Sequence, residues 1–95
     1  MLHKVYQRAA ELIAAGWWSG ALSSDDGEQV CLVQALWTAS RQIQGRSILP
    51  RELVPLRTAL NRRGWSGHYS DWNDVPGRTQ DEVEAVLLEA AGLVG

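Results

Sequence analysis

The sequence contains one set of residue types from which a thiol-based active site could be built. Cys31 supplies a nucleophile, His68 a general base and Asp71 a group that orients the histidine. Their spacing does not show whether the three residues lie close together, and any chain with one cysteine and two histidines offers a similar set. We therefore interpret Cys31 as a small, partly buried residue, and a thiol enzyme is only the third hypothesis for this chain.

A metal site and a phosphate-binding loop are two further kinds of site to test. His68, Asp71 and Asp74 are ligand types, but their spacing matches no common ligand frame, and structural zinc sites usually contain clustered cysteines and histidines. Neither G-x-x-x-x-G-K-S/T nor G-x-G-x-x-G occurs in the chain. We expect no metal and no cofactor, and we predict that the protein is not an enzyme.

Tryptophan and arginine, the types enriched at binding hot spots, concentrate around the segment 64–78. We predict a partner-binding surface there, made of Trp65, Trp72, Asn73, Asp74 and Arg78 with Arg51 and Arg62 as a flank. The alternative is that this segment folds back and its tryptophans seal the small core. In that case Asn73 and Asp74 act as turn and capping residues. The sequence leaves these two interpretations open.

The net charge of −2 averages two regions of opposite sign. Residues 41–63 hold six arginines against Glu52, whereas residues 64–95 hold Arg78 against six carboxylates. We expect the two regions to neutralise each other within the fold or between two copies, so a homodimer is one alternative. Nucleic-acid binding by residues 41–63 is another, although the net charge is not basic and the connection after the second helix is too long for a helix-turn-helix.

Apolar residues at helical spacing predict an all-α fold. Four helices are expected, at about 2–15, 27–44, 55–63 and 80–91, with a short turn at 50–54 before the third. Residues 64–78 form a long irregular loop before the last helix. A chain of 95 residues makes one compact four-helix domain over 1–95.

Local signals set the expected ends of the second and last helices. Asp26 with Gln29 predicts the start of the second helix, and Thr79 with Glu82 predicts a capping box at the last one. The run 75–78, Val-Pro-Gly-Arg, fits a type II turn with glycine at its third position. These signals predict the residues at which the two helices begin.

The apolar side of the second helix is wide and includes Trp37. We expect this helix to be the central one, with Trp37 in the core. On the last helix, Leu88 lies opposite the apolar side that Val83 and Val86 share, so it is expected to be exposed, and it is a weak sign of a partner contact.

Cysteine usage and hydropathy indicate the compartment. Because Cys31 is the only cysteine, an internal disulfide cannot form and a reducing, cytoplasmic location is expected. The first residues lack the apolar region of a signal peptide, and no apolar run approaches the about 20 residues that span a bilayer. We expect no membrane association.

Three segments carry a family resemblance: Gly16–Leu22, Cys31–Leu36 and the Trp-Asn-Asp-Val-Pro-Gly-Arg-Thr element at 72–79. Over nearly the whole chain, their order and spacing resemble a family of small uncharacterised proteins from actinobacteria and their phages. The resemblance implies an all-helical domain without an established activity, and a phage origin would favour a bacterial protein as partner. We therefore expect a non-enzymatic protein-interaction module, with a nucleic-acid-binding regulator as the alternative.

Overall fold

The computed structural model describes residues 1–17 and 30–94. Within these ranges the chain is all-α and contains five α-helices and one 3-10 turn. The helices are α1 (Leu2–Ala15), α2 (Leu32–Gln44), α3 (Val54–Arg62), α4 (Tyr69–Asn73) and α5 (Gln80–Leu93), and the 3-10 turn, Pro50–Leu53, leads directly into α3. The all-α prediction is confirmed. In addition to the four expected helices, the described residues contain a fifth, α4, inside the segment expected to be irregular.

The core lies between α1 and α5, the two helices that contact each other most extensively. In α1 one face is completely buried because apolar side chains recur every three or four residues, and it consists of Val5, Tyr6, Ala9, Ala10 and Ile13. Helix α2 packs on the other side of α1, and α3 packs on α5. The prediction that α2 is the central helix is therefore wrong, since α1 and α5 occupy the middle.

Helix α2 begins later than predicted, at Leu32. Val30 is extended and pairs with Trp17, and its backbone N–H donates to the Gly16 carbonyl at 2.8 Å, so it is not part of the helix. Cys31 is the N-cap residue, and its Sγ accepts from the Gln34 backbone N–H at 3.5 Å. Trp18 and the predicted cap, Asp26 with Gln29, lie outside the described residues.

The prediction that Trp37 lies in the core is wrong, because 46% of its surface is exposed. Helix α2 buries Leu32, Ala35, Leu36 and Ala39 against its neighbours. Trp37 follows Leu36 directly and points away from that face. A helix at the edge of the bundle buries only one apolar stripe. The wide apolar side of this helix had instead suggested that two adjacent stripes are buried.

The 3-10 turn is attached to α1 through Glu52. Tyr6 donates its hydroxyl to the Glu52 carbonyl at 2.6 Å, and burial raises the pKa of this phenol. The Glu52 carboxylate accepts two bonds from Arg46, at 2.7 and 2.9 Å, and one from the Leu49 backbone N–H at 2.8 Å. Hydrogen bonding to Arg46 is the main reason that the pKa of Glu52 falls to about 2.

The entry into α5 follows the predicted signals. Arg78 donates its backbone N–H to the Val75 carbonyl at 3.0 Å, and Gly77 adopts the positive φ of 86° that a type II turn needs at this position. Thr79 and Glu82 form the predicted capping box. The next residue, Gln80, donates its side-chain amide to the Ile13 carbonyl at 2.6 Å and so joins the start of α5 to the end of α1.

None of the helices in residues 1–17 and 30–94 combines the length and the apolar character that crossing a bilayer requires.

Candidate functional site

The predicted partner-binding surface is divided by the fold, because two of its central residues are buried. Trp72 is 2% exposed and Asn73 is 1% exposed. Helix α4 places both against the core, and it begins at an N-cap, His68, whose Nδ1 accepts the Ser70 backbone N–H at 3.2 Å. The prediction that Trp72 and Asn73 contact a partner is therefore corrected: the segment folds back, which is the alternative that the sequence left open.

Asn73 joins three parts of the chain. Its Oδ1 accepts from the Trp17 indole N–H at 2.7 Å and from the Leu32 backbone N–H at 3.2 Å. Its Nδ2 donates to Asp74 Oδ1 at 3.0 Å. Because the two accepted bonds satisfy donors at the end of α1 and the start of α2, Asn73 has a structural role.

The side chain of Arg78 is also bound within the fold and is only 14% exposed. Its guanidinium lies 3.8 Å from the centre of the Trp72 ring, and its Nε donates to the Trp72 carbonyl at 2.9 Å. Its Nη1 donates to Glu82 Oε2 at 2.8 Å, which is the largest cause of the lowered pKa of Glu82. Arg78 therefore closes the turn between α4 and α5. Asp74 is exposed and caps the end of α4.

The flanking arginines differ in their surroundings. Arg62 lies 3.9 Å from Glu89, which also forms an ion pair with Arg63, so part of the basic middle of the chain meets the acidic C-terminal third within the fold. Arg51 is exposed. Among the described residues, Arg51, Arg57 and Arg41 form no ion pair with a carboxylate.

A cleft of about 390 Å³ opens between the end of α3 and the segment that follows it. Gly64 ends α3 with a φ of 81°, and the chain turns back so that the Trp65 N–H donates to the Leu60 carbonyl at 3.0 Å. The turn places Trp65 beside the last turns of α3. The cleft is lined by Arg57, Leu60, Asn61, Trp65, Ser66, Gly67, His68 and Tyr69.

The rings of the cleft are held in place by local contacts. The Trp65 indole N–H donates to the His68 carbonyl at 3.1 Å. Gly67 lies against the same ring, where a Cβ would come within 3.2 Å of the Trp65 ring carbon Cζ2. His68 and Tyr69 stack with their ring centres 4.2 Å apart. The cleft therefore combines pre-positioned aromatic rings with the guanidinium of Arg57.

Sequence reasoning missed most of this cleft, since only Trp65 was among the predicted site residues. Arg57 and Asn61 are one helical turn apart, so they share a face of α3. Gly64 followed by Trp65 has the form of a helix-ending motif in which the residue after the glycine packs back on the last turn. Combining these two signals would have placed Trp65 beside Arg57.

Two of the residues considered for catalysis, Cys31 and His68, differ in burial. Cys31 is buried as the N-cap of α2, whereas the exposed His68 hydrogen-bonds Ser70 through its Nδ1 at 2.7 Å. No group of three or more histidine, cysteine or acidic residues is close enough to hold a metal ion within residues 1–17 and 30–94.

Comparison with known proteins agrees with the extent of the resemblance that the sequence motifs suggested. No curated protein matches the chain, and no solved structure matches it. A family model of unknown function, DUF6197, matches residues 2–93, which include every helix described above and the cleft. The chain therefore belongs to the DUF6197 family.

Proposed function

We propose that the protein is a non-enzymatic interaction module whose cleft receives an acidic, partly apolar segment of a partner protein. One observation carries the proposal: Arg57, which has no carboxylate partner among the described residues, lines the same cleft as Trp65 and Tyr69. A cation next to apolar rings favours a ligand that brings both a carboxylate and an apolar side chain.

The composition and rigidity of the cleft support this proposal. Tryptophan, tyrosine and arginine dominate the energetics of protein interfaces, and they do so where they line a pocket that excludes water. The hydrogen bond from Trp65 to the His68 carbonyl and the contact with Gly67 fix the indole ring before a ligand arrives. Pre-positioned rings lose less conformational entropy on binding, which raises affinity for a given contact area.

The proposed surface is thus centred on Arg57, Trp65 and Tyr69, with the exposed Arg51 and Arg62 at its flank. It replaces the set centred on Trp72, whose side chain is buried. We further propose a bacterial protein as the partner and the cytoplasm as the location. The phage and actinobacterial resemblance supports the former, and the single cysteine supports the latter.

Nucleic-acid binding by residues 41–63 remains the alternative proposal, but the ion pairs reduce its charge. Arg46 is bound to Glu52, and Arg63 is bound to Glu89, so the phosphate backbone would compete with carboxylates for these two arginines. The three arginines without ion pairs leave a smaller positive surface.

A synthetic peptide tests the proposed function. The probe is a fluorescein-labelled helical peptide with glutamate and leucine four residues apart, and the control probe has lysine in place of glutamate. Fluorescence anisotropy should detect binding of the acidic peptide alone, and Arg57→Glu should weaken it about tenfold because attraction becomes repulsion. Arg41→Glu is the matched control, since Arg41 is an exposed arginine of α2 outside the proposed surface, and it should weaken binding much less.

Two outcomes would contradict the proposal. If neither peptide binds at millimolar concentration, the cleft is not a site for acidic segments. If Arg57→Glu and Arg41→Glu weaken binding equally, only the net charge matters. Titration with labelled single- and double-stranded DNA at low salt tests the alternative, because phosphate contacts give binding that falls steeply with salt. Affinity capture from a bacterial lysate, with Arg57→Glu as the control bait, then identifies the natural partner.

A further inference from the structure

The outward face of α5 has the chemistry that the cleft is proposed to recognise. Asp81, Glu84, Ala85 and Leu88 follow each other at helical spacing and line a shallow groove of about 200 Å³. Leu88 is 48% exposed, although it is a large apolar side chain. The face therefore presents carboxylates and one leucine on a rigid helix.

The carboxylates of α5 fall into two groups. Glu82 and Glu89 are engaged within the chain, by Arg78 and Arg63 respectively. Asp81 and Glu84 form no ion pair with any described residue. The negative charge on the outward face is therefore not neutralised by these arginines, just as the positive charge of Arg57 is not neutralised by a carboxylate.

We propose that the α5 face of one copy of this chain docks in the cleft of a second copy, in a head-to-tail contact. The inference rests on the proposed function, because it names one occupant of the same cleft. Charge complementarity supports it: a cation beside aromatic rings meets carboxylates beside a leucine. In this contact Leu88 enters the cleft against Trp65, and Glu84, one turn before it on the same face, pairs with Arg57.

The small residue at position 85 makes this contact sterically reasonable. Ala85 lies between Glu84 and Leu88 on the outward face and is exposed, so the α5 backbone can approach the rim of the cleft closely. The volume of the cleft, about 390 Å³, exceeds that of a leucine side chain and is within the range of sites that bind small ligands.

The contact has a regulatory consequence. Because the two surfaces differ, the contact is heterologous, so each copy offers a free cleft at one end and a free α5 face at the other unless a ring closes. A partner segment and a second copy compete for the same cleft. Partner binding therefore dissolves the self-association, and a high concentration of the protein protects the cleft.

Sedimentation velocity of the full chain tests the inference. The wild-type protein should associate reversibly with increasing concentration, and association should weaken at high salt because the charges are exposed. Arg57→Glu and Glu84→Arg should each weaken association about tenfold. An equimolar mixture of the two variants should associate again, because one supplies an intact cleft and the other an intact α5 face. Glu11→Arg, a charge reversal on the exposed side of α1, is the control and should behave as the wild type does.

A monomer at all concentrations would overturn the inference, as would a dimer unaffected by Arg57→Glu and Glu84→Arg. A mixture of the two variants that fails to associate, although the wild type does, would also overturn it. The acidic-peptide experiment separates this failure from that of the proposed function. Peptide binding by a chain that stays monomeric refutes self-association alone, whereas absence of both refutes the cleft as a site.

Discussion

The segment between α3 and α5 has two halves that differ in the burial and the hydrogen bonding of their side chains. In the open half, residues 65–69, Trp65 bonds to its own loop and its ring lines a cleft. In the locked half, residues 72–78, Trp72 is buried and Asn73 bonds to residues adjoining α1 and α2. Both halves contain a tryptophan and lie close together in sequence, yet Trp65 lines a cleft whereas Trp72 is buried in the core.

The difference shows what decides whether an aromatic residue serves packing or recognition. Around Trp72, the polar groups have partners in distant parts of the chain, so moving the ring would break bonds in several elements. Around Trp65, the hydrogen bonds are local, and the ring is only partly buried where it packs against the core. Recognition surfaces are drawn from regions whose loss leaves the remaining fold intact, and four predictions test this comparison.

Trp72→Ala should have the largest effect on stability. Removing a buried tryptophan costs about 3–5 kcal/mol of the free energy of unfolding, because the ring contacts are lost and a cavity remains. Trp65→Ala removes a half-buried ring and should cost about 1–2 kcal/mol. Urea unfolding followed by far-UV circular dichroism measures both. Equal losses would show that the open and locked halves do not differ.

Asn73→Ala should come next, with a loss of about 2–4 kcal/mol, because it leaves the Trp17 indole N–H and the Leu32 backbone N–H without their acceptor. Asn61→Ala, on the α3 side of the cleft that the open half lines, is the matched control. Asn61 is exposed at the cleft, so its removal should change the free energy of unfolding by less than about 0.5 kcal/mol. A small effect of Asn73→Ala in the same urea experiment would remove the structural role assigned to that residue.

Arg78→Ala should cost about 1–2 kcal/mol, since it removes the stacking on Trp72 and the bond to the Trp72 carbonyl. It should also raise the pKa of Glu82 toward its ordinary value, because Arg78 is the main cause of the lowered pKa. Titration followed by NMR of the Glu82 carboxyl measures this shift. Arg78→Lys keeps the charge but not the planar fork, so its stability should be intermediate. An unchanged titration of Glu82 in Arg78→Ala would argue against this ion pair.

Arg57→Glu should have the smallest effect on stability, less than about 0.5 kcal/mol, because an exposed side chain without an ion pair contributes little to folding. The same variant should lose acidic-peptide binding. A thermal melt beside the anisotropy titration shows both properties. Substantial destabilisation would show that Arg57, like the buried residues of the locked half, is needed for the stability of the fold.

Much of the fold could be predicted from the sequence because its signals are local. The bounds of α1, the capping box at Thr79 and the turn at Gly77 depend on residues within one or two helical turns of each other. The start of α2 could not be predicted in the same way. Val30 bonds to Gly16 across the chain, and this contact removes Val30 from the helix although its side chain fits the apolar pattern.

The candidate site was harder to predict because burial depends on which helix is central. Trp37 shares the apolar character of the α2 core but lies on the outside of a helix at the edge. Trp72 has polar neighbours typical of a surface, but Asn73 finds buried donors from two other elements. Periodicity gives the face of a helix, whereas the partners of that face come from long-range contacts that one sequence does not show.

The bond from Gln80 to the Ile13 carbonyl joins residues 67 positions apart, and it lies where α1 meets its main partner, α5. During synthesis α1 emerges well before α5, so the part of its apolar face that packs on α5 stays uncovered until α5 has been made. Contacts of such high sequence separation repay the entropy of chain closure only at the end of folding. Assembly of the core is therefore expected to be a late and cooperative step, completed only when α5 packs on α1.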